Sequence, residues 1–274
     1  MELLNGLIYG IVAGFAEFFP VSALAHEKFF VLFSGAQVNP LLRFTTSCGT
    51  LLAVIFVFAK QLRHMQQEMR IAGAKKHRRL RQPDMAAVAD MKMILQTVVP
   101  IAVGLLLQRF IPDVFSTLWM MALMLIANGA ILYALQYIAG GNRGSRSLSR
   151  MDGLLYGICS AFSVIPGLSR VGNILFVGHL RKYERSYLAD VAMMLSIPWL
   201  AGMVILNLIS MVVSLTSLTF LAWIGAILGA IAAFFAASAA ISLMRFFAVR
   251  IGYHGFALYS WGIGFVSFIL YLMI

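Results

Sequence analysis

Four ionisable residues fall inside otherwise apolar stretches of this chain: Glu17, His26, Arg170 and Asp190. A charge in such surroundings is costly and marks a functional position by default. Three of the four flank two short polar breaks. The first break runs from Pro20 to His26 and contains Ser22; the second runs from Pro166 to Arg170 and contains Gly167 and Ser169. The guanidinium of Arg170 is a planar fork of donors that suits a phosphate. Ser169, Asn173 and the backbone N–H groups of that turn would add donors, and Gly167 and Gly172 allow close backbone approach. An anion site around Arg170 is the expectation. Two kinds of role are open to Glu17: general base or metal ligand beside a phosphate, or counter-charge to Arg170. His26 and Ser22 could attack phosphorus or move protons; a hydrogen-bonded interfacial histidine is the plainer reading of the former. Asp190 is expected to pair with Lys182 or Arg185 at the inner surface. Glu27, Lys28 and Arg43 are placed nearer an interface.

The surroundings are those of a lipid-embedded protein. Hydrophobic residues make up 61% of the chain and charged residues 11%. A soluble domain carries roughly twice that charged fraction. The net charge of +11 does not indicate nucleic acid, because nine of the 21 Lys and Arg lie between Lys60 and Lys92. That distribution reads as a cytoplasmic basic loop over 60–92 under the positive-inside rule, one able to touch anionic lipid. Met1–Pro20 lacks a basic start, so no cleaved leader is expected. Cys48 and Cys159 sit in apolar segments and are expected to pack, not to pair.

A repeated phrase leads into each break: Gly6-Leu7-Ile8-Tyr9-Gly10-Ile11 and Gly153-Leu154-Leu155-Tyr156-Gly157-Ile158. Six apolar runs are long enough to span, at 41–59, 93–110, 117–139, 186–213, 217–244 and 253–274. The two interrupted stretches have arms too short to cross. Such breaks are tolerated only where protein or a water-filled cavity surrounds them. Placing every basic cluster on the inner face puts both termini outside and makes the interrupted segments enter from opposite faces. The expected fold is an all-α polytopic membrane protein: six transmembrane helices plus two re-entrant helical hairpins in a 3+3 inverted-topology repeat, with halves at 1–139 and 151–274. Paired broken segments of this kind point to a binding site at the repeat interface. Small residues at Gly225, Gly229 and Ala236–Ala240 fit close packing within the chain or a homodimer interface.

The two breaks resemble those of the undecaprenyl-diphosphate phosphatase family, the bacterial bacitracin-resistance proteins. The first family turn reads E-G-x-x-E-F-x-P-V-S-S-x-G-H; here the stretch Ala13–His26 is AGFAEFFPVSALAH. The second reads P-G-x-S-R-S-G-A-T; here Pro166–Ile174 is PGLSRVGNI. Arg185–Pro198 echoes a third family stretch. The resemblance implies dephosphorylation of undecaprenyl diphosphate to the monophosphate carrier of cell-wall synthesis. The site would face the outer side of the bacterial cytoplasmic membrane and use a divalent cation, Mg²⁺ or Ca²⁺. Arg170 would clamp the pyrophosphate; Glu17 and His26 match the second glutamate and the histidine. The departures fall on the chemistry. The first glutamate is Ala13, the second serine of the first turn, the family's candidate nucleophile, is Ala23, and Val171, Asn173 and Ile174 replace the small polar set of the second turn. A non-hydrolytic polyprenyl-phosphate carrier or a pseudo-enzyme on the same scaffold is therefore the alternative.

Overall fold

The computed structural model describes residues 2–74, 81–138, 140–213 and 219–273. These form twelve α-helices and no β-strand. In order they are α1 (Glu2–Phe18), α2 (Ala23–Ser34), α3 (Pro40–Val57), α4 (Ala59–Gly73), α5 (Met85–Leu107), α6 (Leu118–Ala134), α7 (Arg150–Ala161), α8 (Arg170–Leu180), α9 (Arg185–Met194), α10 (Ser196–Val213), α11 (Phe220–Phe246) and α12 (His254–Met273). Five helical stretches among the described residues are long and apolar enough to cross a membrane: Pro40–Val57, Met85–Phe110, Arg185–Val213, Phe220–Ile251 and His254–Met273. The chain is a polytopic membrane protein. The sixth expected span, 117–139, contains a helix of only 17 residues, Leu118–Ala134. It stops short of Gly140-Gly141, where a side chain on Gly141 would run into the Lys182 backbone.

Three boundaries differ from the sequence pattern for physical reasons. The 60–92 segment is not simply a loop. Leu62, Met65 and Met69 recur at helical spacing in α4, and Met65 is buried while Lys60, Arg63 and Arg70 face out. Lys75, Lys76, Arg78 and Arg79 lie outside the described residues. The α5 helix begins at Met85, eight residues before the apolar run, because the Asp84 side chain accepts the Ala86 N–H at 3.0 Å and caps it. The 186–213 run is interrupted at Leu195. Pro198 cannot donate to the carbonyl of Met194, which frees one turn of the ladder.

The two interrupted stretches are helical hairpins. Tyr9, midway along α1, donates to Glu27 Oε2 at 2.6 Å and rests on Phe30, so α2 folds back along α1. In the other hairpin the Arg181 guanidinium, just beyond α8, meets Asp152 at the start of α7 at 2.7 Å. The repeated phrase is used twice in the same way. Gly6, Gly10 and Gly14 lie directly on Gly225, Gly229 and Ala233, so α1 packs parallel to α11 at backbone contact. Gly153 and Gly157 lie on Gln96, Thr97 and Pro100, so α7 runs parallel to α5. The small residues of α11 thus pack within the chain. Small-on-small seams of this kind supply the dispersion contact that drives helix association in lipid.

Two predictions follow from this packing. A side chain at Gly10 would strike the Gly229 backbone. Gly10→Val should destabilise the protein by the upper part of about 1–3 kcal/mol, while Gly262→Val, which meets open space, should be near neutral; thermal melting in detergent compares them. The second concerns pH. Glu68 on α4 is buried, bonds the Arg81 guanidinium, and accepts the Asp84 N–H at 2.9 Å. The bond from Arg81 holds its carboxyl below the ordinary value of 4.5. Its contribution is present above that value and lost as pH falls through the lower folded-state pKa. As pH falls from above 4.5 through that lower pKa the wild type should lose more stability than Glu68→Gln, as followed by melting temperature.

Candidate anion site between two hairpin tips

Each tip is built from a proline break and a capped restart. After α1 the chain turns through Pro20, and Ser22 caps α2, accepting the Ala25 N–H at 3.4 Å. After α7 a 3-10 turn, Phe162–Val164, leads to Pro166 and Gly167. Gly167 has φ +106, and a Cβ there would lie 2.9 Å from the Met121 carbonyl oxygen, so glycine is required twice over. Ser169 then caps α8 by accepting the Gly172 N–H at 3.1 Å. Arg170 is therefore the first residue of a helix, with its side chain beside the positive end of that helix.

The tips touch. The Gly167 N–H donates to Ser22 Oγ at 2.9 Å. Asn128, fully buried on α6, ties both: its Nδ2 donates to the Pro20 carbonyl and to Ser260 Oγ, each at 3.1 Å, and its Oδ1 accepts the Ser169 N–H at 3.1 Å. An amide is the side chain that can donate and accept at once.

Arg170 reaches from one hairpin to the other. Its Nη2 donates to the Glu17 carbonyl at 3.0 Å and to Glu17 Oε1 at 2.9 Å. The Arg170 side chain is 4% exposed, and its Nε and Nη1 are buried with no partner. Arg170 lines a small pocket of about 50 Å³ together with Glu17, Ser163, Ala23, Trp199 and Met203. Ser163 Oγ is likewise buried without a partner. Through Glu17, Ala23 and Met203 this pocket adjoins a cavity of about 290 Å³, walled by Ala13, Thr46, Ser47, Thr50 and Asn207. Glu27 and Arg43, paired at 2.7 Å, stand in the wall of that larger cavity.

The structure brings Glu17, Ser169 and Arg170 together; it does not bring His26 to them. His26 Nδ1 donates to the Ser22 carbonyl and its Nε2 meets Tyr259 O–H, both at 2.7 Å. It lines an apolar groove of about 490 Å³ with Phe15, Phe19, Phe247 and Phe256. Ser22 is 1% exposed, and its oxygen is engaged by the opposite tip. Asn173 donates to the Cys159 carbonyl at 3.3 Å, across its own hairpin. Gly172 leaves room for Asn128, whose Oδ1 would lie 3.2 Å from a Cβ there. Asp190 pairs with Arg245 at 2.6 Å, not with Lys182 or Arg185, because α9 packs on the end of α11. Cys48 and Cys159 are free thiols. Among the described residues no three His, Cys, Asp or Glu side chains cluster as a metal site.

A family model, that of the bacitracin resistance protein BacA, matches residues 6–266. The chain belongs to this family. Similar proteins include an undecaprenyl-diphosphatase of Paenarthrobacter aurescens, 33% identical over 74% of this chain and 73% of that protein. Another, from Desulforapulum autotrophicum, is 29% identical over 76% and 78%. A third, from Nocardioides sp., is 26% identical over 98% and 97%.

In this bacitracin-resistance family member, sequence reasoning missed Asn128, Ser163, Trp199 and Tyr259. Asn128 did carry a signal, an amide in the middle of an apolar run, where polar side chains join helices. Ser163 carried none. Removing the tie should be costly: Asn128→Leu leaves the buried Ser169 N–H and Pro20 carbonyl unpaired, at about 1–3 kcal/mol for each group. Its melting temperature in detergent should fall clearly, and by more than that of Asn207→Leu, which gives up a single partly buried bond to Ser47.

Proposed function

We propose that this protein hydrolyses undecaprenyl diphosphate to the monophosphate in the bacterial cytoplasmic membrane. The observation that carries the reading is the half-used guanidinium of Arg170. Two of its buried nitrogens, Nε and Nη1, have no partner, and Arg170 lines a pocket at the junction of the tips. A buried donor left unpaired is destabilising unless a ligand completes it. A phosphate can accept an N–H from a nitrogen that Glu17 leaves unused, and the N-terminus of α8 adds to the attraction. Glu17 balances Arg170 before the ligand arrives. With the terminal phosphate held, water adds to its phosphorus, the bridging P–O bond breaks, and the lipid leaves as the monophosphate. Glu17, with one oxygen on Arg170, is the group placed to take the proton from that water. A divalent cation, Mg²⁺ or Ca²⁺, would have Glu17 as its one protein carboxylate here, with the substrate phosphates supplying other oxygens. Nothing in the comparisons favours a carrier.

The hairpins are read as re-entrant arms of an inverted repeat. Support comes from exchange of contacts between halves: α1 of the first half runs along α11 of the second, and α7 of the second along α5 of the first. Each first arm therefore lies parallel to the middle span of the opposite half. If the middle spans run in opposite directions, the hairpins open to opposite faces. Basic residues on the inner face then put both termini outside.

Purified protein given undecaprenyl diphosphate and Mg²⁺ in detergent should release phosphate. Arg170→Ala should abolish release, and Arg170→Lys should keep the charge but lose most of the release, since an ammonium has no fixed, separate N–H groups to hold Glu17 and a phosphate together. No release by the wild type, with lipid affinity unchanged in Arg170→Ala, would overturn the proposal.

A further inference from the structure

We infer that Ser163 is a phosphate-binding residue of this pocket, supplying from the second hairpin the hydroxyl that is absent at Ala23 on the first; this rests on the hydrolase reading above. Ser163 sits in the 3-10 turn that ends the α7 arm, and it is 6% exposed. Several serines of this protein bond a nearby carbonyl. Ser160 donates to the Tyr156 carbonyl at 2.7 Å, Ser238 to the Phe234 carbonyl at 2.8 Å and Ser147, also in a 3-10 turn, to the Gly144 carbonyl at 2.8 Å. Ser163 makes no such bond, although its Oγ is shut off from solvent.

Ser163 lines the same pocket as Arg170, and Glu17 and Ala23 stand in the same wall set. Ser163 Oγ, Arg170 Nε and Arg170 Nη1 are buried without a partner. A phosphate oxygen can accept from an Arg170 N–H of fixed direction, and the Ser163 hydroxyl can rotate to meet a second oxygen. The first hairpin contributes Ala23, a methyl group, to this lining. The hydroxyl that the family pattern places on one wall is thus met by one on another. Because Ser163 donates a hydrogen bond and forms no covalent bond here, its loss should act on binding of the phosphate before it acts on chemistry.

The test uses full-length protein in detergent and undecaprenyl diphosphate as the titrant. Ser163→Ala should bind the lipid about tenfold or more weakly, the scale expected for one hydrogen bond to a charged group. Its melting temperature without lipid should be unchanged, which a purely structural serine would not give. Adding Ala23→Ser to Ser163→Ala should recover part of the affinity, because the hydroxyl returns from the opposite hairpin. Affinity of Ser163→Ala within about twofold of wild type would overturn the inference, and a loss in Arg170→Ala alone would still leave the hydrolase reading standing. A wild type that neither binds the lipid nor releases phosphate would overturn both.

Discussion

The need to satisfy backbone groups inside an apolar environment governs this structure. A helix that stops within the bilayer frees N–H and C=O groups that no water or lipid can bond. Two helices end at Phe18 and Ala161, and backbone groups of the turns beyond them are met through Ser22 and Asn128. The tips cannot be placed independently. Gly167 gives its N–H to Ser22, and Asn128 takes the N–H of Ser169 while holding the Pro20 carbonyl. The residue that follows Ser169 is Arg170, so a backbone constraint fixes the position of the guanidinium.

The charge balance follows from that placement. Arg170 and Glu17 form a buried pair across the hairpins. Burying two charges is costly, and their attraction repays it only when the remaining donors and acceptors are also met. For Arg170 they are not met. Its arrangement is suited to a third party: Glu17 lowers the cost of keeping the cation dry, yet leaves the face toward the pocket free. A pair that satisfied every N–H would be more stable and would bind nothing.

Local signals were legible in the sequence and rotational ones were not. The prolines, the serine caps and the unbalanced charges identified both breaks, and a pairing of Glu17 with Arg170 was among the readings those residues allowed. His26 lies four residues beyond Ser22 on a helix whose rotation about its axis is set by Tyr259, 233 positions away. No local pattern reports that phase. Asp190 met Arg245 for the same reason: its basic neighbours in sequence were closer along the chain, but α9 is laid against α11. The α4 helix was hidden by composition, since its many charges masked the spacing of Leu62, Met65 and Met69.

Two of the changes that separate this chain from the family pattern, at Ala13 and Ala23, fall on one wall. Ala13 and Glu17 are one turn apart on α1, and Ala23 and Glu27 are one turn apart on α2; all four line the larger cavity. The first hairpin therefore presents two methyl groups on the turns where the pattern has a carboxylate and a hydroxyl. Besides Glu17, the charge this hairpin places in the cavity wall is Glu27, committed to Tyr9 and Arg43. Ser163, Ser169 and Arg170, the residues of the proposed anion site, belong to the second hairpin. The tips are joined through backbone and Asn128 and not through Ala13 or Ala23, so the fold tolerates a methyl group at both positions. Under the hydrolase proposal the chemistry then rests on Glu17 and on donors from the opposite hairpin.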